Sequence, residues 1–133
     1  MYLLDTNVCI RLLNGRSPNV TQHLQRHRPA DIALCAVVKA ELMHGAHRSN
    51  RTAENLRLLN EFFAPFVSLP FDDRCADAYG RIRSDLERAG LPIGPNDTFI
   101  AAIAVAHNLT LVTANTREFE RVIGLAIENW EVA

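Results

Sequence analysis

Leu91 to Thr113 read LPIGPNDTFIAAIAVAHNLTLVT, and this stretch decides the fold class. It opens as a loop punctuated by Pro92, Gly94 and Pro95, then continues as a helix that is apolar on nearly every side. A helix without a polar face belongs in the middle of a protein, not on its surface. Leu109 to Thr113 follow as a strand. Short apolar strands separated by helices predict a parallel sheet covered on both faces, as in a three-layer α/β/α sandwich.

The same alternation runs outward from there. Tyr2 to Leu4 are a short buried strand, Thr6 to Asn14 a helix stopped by Gly15, and Ser17 starts a more polar helix ending before Pro29. The first of these helices carries Val8, Cys9, Leu12 and Leu13 at helical spacing. Ile32 to Cys35 form a second strand, Ala36 to His47 and Thr52 to Phe66 two more helices, and Val67 to Leu69 a third strand. Asp72 to Ala89 make a long amphipathic helix, with Cys75, Tyr79, Ile82 and Leu86 on one stripe and Gly90 at its end. Downstream, Thr116 to Arg121 are a helical turn and Leu125 to Ile127 the last strand. No repeat, low-complexity tract or composition shift marks a linker, so residues 1–133 are expected to form one domain.

Composition narrows the function classes. With 48% hydrophobic and 22% charged residues, the chain matches ordinary globular proteins. The N-terminal residues lack a signal-peptide pattern and no apolar run reaches the length of a membrane span, so a cytoplasmic protein is expected. Cys9, Cys35 and Cys75 are odd in number and widely spaced, which suits buried thiols better than disulfides or a zinc site. The net charge of −1 offers no global attraction for nucleic acid, so any such contact must come from local clustering.

Several polar residues fall where a plain core does not explain them. In an open α/β sheet, ligands bind beyond the carboxyl ends of the strands. Asp5 lies there after the first strand, Asn115 two residues past Thr113, and Asp97 at the start of the buried helix. Glu41 shares its helix face with Val37, Val38 and Gly45. Helix capping could account for Asp5 or Thr6, for Asn96 or Asp97, and for Asn115 with Glu118 in a variant capping box. It does not account for Glu41. Carboxylates converging on one cleft repel one another, and a hard divalent cation relieves that repulsion.

YLLDTN at the start, VVKAELMHG in the third helix, GLPIGPNDTFIAAIAVAHNLTLVTANTREFERVIGL and the closing IENW resemble PIN-domain proteins of the VapC type, the ribonuclease toxins of bacterial toxin–antitoxin pairs. The resemblance covers essentially the whole chain. It implies a parallel-sheet sandwich, a homodimer, an endoribonuclease dependent on Mg²⁺ or Mn²⁺, and inhibition by a VapB-type antitoxin. Carried over residue by residue, it makes Asp5, Glu41 and Asp97 the metal-holding acids. The fourth position falls to Asn115, where many PIN domains have Asp, or to Glu118. Thr6, Asn7 and Thr113 would support the site, and metal-activated water would attack the scissile phosphate. The stretches GPNDTFIAA and TANTREFERV look closest to enteric toxins that cut initiator tRNA in the anticodon stem-loop. Lys39 and Arg117 lie nearest the acids in sequence and are the expected RNA contacts.

Two other readings compete. A phosphatase with Asp5 as nucleophile would want a second Asp two residues on, where Asn7 stands. A non-catalytic module binding RNA or antitoxin draws its support from Asn115. Glu41 and His44 have the spacing of a di-iron helix motif, but that chemistry needs two such motifs and the chain has one. His44 and His47 on one helix are more simply surface residues.

Overall fold

The computed structural model describes residues 1–132. Its five strands are β1 (Tyr2–Leu4), β2 (Ile32–Cys35), β3 (Val67–Leu69), β4 (Thr110–Val112) and β5 (Ala126–Glu128). They form one wholly parallel sheet in the order β3-β2-β1-β4-β5. Seven helices flank it among the described residues: α1 (Thr6–Asn14), α2 (Pro18–Gln25), α3 (Ala36–Arg48), α4 (Thr52–Phe63), α5 (Asp73–Arg88), α6 (Pro95–Ala106) and α7 (Thr116–Phe119). Every residue of β2 is 0% exposed, which requires cover on both faces of the sheet. The expected three-layer α/β/α sandwich is the fold observed.

β1 holds the centre. Tyr2 is paired with Ile32 on one side and Thr110 on the other. The strand order reverses beside β1, and such a switch point opens a crevice at the carboxyl ends of the strands. The predicted central helix is α6, where Thr98 and Ile100 to Ala104 are buried. It packs against α5 and α3.

Some boundaries differ from expectation. α4 stops at Phe63 instead of Phe66: Pro65 has no N–H to continue the ladder, and the Phe66 N–H turns back to the Phe63 carbonyl. Phe66 still packs its ring on Phe62 at 5.4 Å. α7 ends at Phe119, and the next residues tighten, with the Arg121 N–H on the Glu118 carbonyl and the Val122 N–H on that of Phe119. β5 lies one residue later than expected, and β4 loses a residue at each end. Leu13, expected inside, is 41% exposed.

Candidate active site

The chain leaves β1 at Leu4 and must start α1 at once, so Asp5 sits at the sheet's carboxyl edge as the helix N-cap. Its backbone N–H still bonds to the Val112 carbonyl of β4 at 3.1 Å, as if the strand continued. One carboxylate oxygen accepts the Val8 N–H at 2.9 Å. The side chain also takes a hydrogen bond from Thr113, whose own hydroxyl oxygen accepts the Asn115 N–H at 3.0 Å. Thr113 is fully buried, and these partners hold Asp5 in one orientation. Capping and site geometry therefore coexist at Asp5.

α3 brings Glu41 to the same place. It is half-buried, and Oε1 accepts the Thr6 hydroxyl at 2.8 Å. Asp97 arrives on the first turn of α6. Gly94 is the N-cap there and the Thr98 hydroxyl bonds back to the Gly94 carbonyl at 2.9 Å, so Asp97 caps nothing. Its carboxyl is pushed up to about 6, first by burial and then by the negative charges of Glu118, Asp5 and Glu41. Asp5 is raised as well, chiefly by burial, against the opposing bonds from Thr113 and Val8. Asp5, Glu41 and Glu118 thus lie near enough to Asp97 for their charges to act on it.

The two residues expected for the fourth position pair with each other. The Asn115 amide donates to Glu118 Oε2 at 3.0 Å, and neither side chain caps α7, so the capping-box reading does not hold. Asn7 is exposed at the start of α1. The two expected RNA contacts separate. Arg117 is exposed on α7, next to the Asn115–Glu118 pair in the chain. Lys39 turns away: its ammonium donates to Ser68 at 2.8 Å and lies 5.1 Å from the Phe63 ring centre. Two residues apart on a helix, Lys39 and Glu41 face opposite directions.

The donor set tests the expected cation directly. Asp5, Glu41, Asp97 and Glu118 all offer oxygen, and the surrounding negative charges raise the proton affinity of Asp97 and Asp5. Hard divalent ions favour such a set. Residues 2–125 match the PIN domain family model. The chain belongs to the PIN-domain family. Ribonuclease VapC2 of Rickettsia felis is 37% identical over 132 residues, covering 98% of each chain. The tRNA(fMet)-specific endonuclease VapC of Shigella flexneri is 36% identical, with 97% of each covered. Among solved structures, the DNA-bound VapBC of Salmonella typhimurium superposes with a TM-score of 0.91 at 33% identity, again over 97% of each chain. This PIN domain is a nuclease of the VapC type.

Two grooves meet at Glu41 of the PIN domain. One, of about 470 Å³, runs past Val37, His44, Phe71, Asn96 and Phe99. The other, of about 400 Å³, is walled by Ile10, Leu13, Leu42 and Leu58. Sequence reasoning missed Glu131. The segment after β5 folds back, so that Trp130 is buried, Asn19 donates to the Glu131 carbonyl at 2.9 Å, and the Glu131 carboxylate pairs with Arg11. Its charge also raises Asp5. The available signal was the Trp in IENW, an aromatic residue with no reason to end a surface strand.

Proposed function

We propose that this PIN domain is the toxin of a VapBC-type pair, a single-domain endoribonuclease that uses Mg²⁺ or Mn²⁺ to cut structured RNA in the cytoplasm. The observation that carries the reading is the meeting of four carboxylates near the carboxyl edge of a parallel sheet. Asp5, Glu41 and Asp97 would hold a divalent ion, which would supply positive charge to a scissile phosphate and lower the pKa of a water towards neutral. The chain's own residues do the positioning. Thr113 and the Val8 N–H aim Asp5, Thr6 aims Glu41, and Glu118, held by Asn115, adds negative charge beside Asp97. Arg117, exposed on α7, is suited to an RNA phosphate, whereas Lys39 would first have to leave Ser68.

Transfer RNA, and initiator tRNA in its anticodon stem-loop, is the favoured substrate on the strength of the Shigella relative's name. A VapB-type antitoxin is the partner, since solved relatives are VapBC complexes. The groove bearing exposed Ile10, Leu13 and Leu58 offers it an apolar seat beside Glu41. A homodimer would use further apolar surface, of which Leu91 at 47% and Ile123 at 80% exposure are the most evident. Purified protein free of antitoxin should cut a bacterial tRNA pool at one site in Mg²⁺. The cut should vanish in EDTA and in Asp97→Asn. Cleavage that survives both would sink the metal-site reading, and tight binding of RNA without any cut would favour a non-catalytic module.

A further inference from the structure

The ends of α5 and α6 farthest from Asp97 carry a second cluster with different chemistry. Asp72, Cys75 and His107 each bring a ligand atom there, all within 4.8 Å of one another. Asp72 is the N-cap of α5, and its Oδ1 accepts the Cys75 N–H at 3.1 Å. Cys75 lies one turn on, buried, with its thiol 3.9 Å from the Pro70 carbonyl and hydrogen-bonded to the Asp72 carboxylate. His107 caps α6, and its Nε2 is buried without a hydrogen-bond partner among the described residues. An orphaned buried ring nitrogen costs stability unless something occupies it.

We infer that Asp72, Cys75 and His107 form a binding site for a zinc-like transition-metal ion, separate from the acidic cleft. One sulfur, one imidazole nitrogen and one carboxylate oxygen make a donor set that suits Zn²⁺ and discriminates against Mg²⁺. Ligand atoms about 2.0–2.3 Å from a tetrahedral zinc stand roughly 3.3–3.8 Å apart, so atoms already within 4.8 Å of one another would need to close by no more than about 1.5 Å. A water completes the four ligands. Binding exchanges one proton for the metal: the Cys75 S–H bond breaks, the sulfur–metal bond forms, and the proton leaves to buffer. Arg74 opposes this, with Nη2 3.5 Å from His107 Nδ1 and 3.7 Å from Asp72 Oδ2. Its side chain is 67% exposed and swings into solvent at small cost. The ion would tie the start of α5 to the end of α6, the helix that carries Asp97 at its other end.

Cobalt tests the site, because it reports sulfur ligation by colour. One equivalent of Co²⁺ added to the reduced protein should give a thiolate-to-cobalt charge-transfer band and the strong visible bands of a tetrahedral ion. Zn²⁺ should bleach both. Asp97→Asn should keep them, while Cys75→Ser and His107→Gln should lose them. Absence of the charge-transfer band in the wild type, or its survival in Cys75→Ser, would overturn the assignment. If Cys75→Ser does not fold, the wild type still decides: Zn²⁺ should slow labelling of one thiol several-fold, located at Cys75 by peptide mapping, and an unchanged rate would refute the site.

Discussion

Replacing Asp97 by Asn should stabilise the metal-free protein while removing its function. In the folded chain the Asp97 carboxyl titrates at about 6, against 3.8 ordinarily, because burial and three neighbouring acids disfavour its charge. The folded state therefore holds this proton more tightly than the unfolded state, and stability falls as pH rises from about 4 to about 6. Above about 6 the full penalty is in place. Roughly two pH units at about 1.4 kcal/mol each cap it near 3 kcal/mol. Asp97 is only half-buried, and solvent screening reduces the figure to about 1–2 kcal/mol. Asn is nearly isosteric and carries no charge. In EDTA at pH 7.5, Asp97→Asn should melt about 4–8 °C above the wild type, and the gap should narrow towards pH 5. Saturating Mg²⁺ should raise the wild type and barely move the variant. Calorimetry at the two pH values decides. A variant that melts at or below the wild type in EDTA at pH 7.5, or a gap that does not shrink on acidification, would refute the account of mutual repulsion.

Thr6→Val removes the donor that orients Glu41 and should weaken Mn²⁺ binding about 10-fold by titration calorimetry, with the fold intact by circular dichroism. Asn115→Asp places a charge against Glu118 and should lower the melting temperature in EDTA while tightening Mn²⁺ binding; unchanged affinity would separate this position from the metal. Trp130→Ala empties a fully buried site and should cost about 3–5 kcal/mol in denaturant unfolding. Arg117→Glu should weaken RNA binding and reduce the slope of log K against log salt by about 1, whereas Lys39→Glu should leave that slope nearly unchanged.

The fold was legible because its signals are local. An all-round apolar helix, short apolar strands and glycine stops each announce themselves within a few residues, and the structure departs from them mainly at helix and strand ends. Asp5 and Asp97 were legible for a related reason: position at a strand or helix end is itself sequence information. Lys39 was not, because proximity in the chain says nothing about which way a helical side chain points, and Ser68 lies on a strand 29 residues away. Glu131 was hidden likewise, since its approach to Asp5 depends on a fold-back that Trp130 anchors. His107 stood far from Asp72 and Cys75 in sequence, and only the antiparallel return of α6 along α5 brings it to them.

The central place of β1 also constrains how the molecule comes into being. A strand near the start of the chain finds one neighbour at Ile32 and must wait for the other until Thr110 has been made. During synthesis one flank of β1 therefore lies bare, and Asp5 lacks both Asp97 and Thr113. The cutting centre cannot assemble on a partly translated chain. A nascent polypeptide that stops short of Thr110 therefore lacks one whole wall of the acidic cleft.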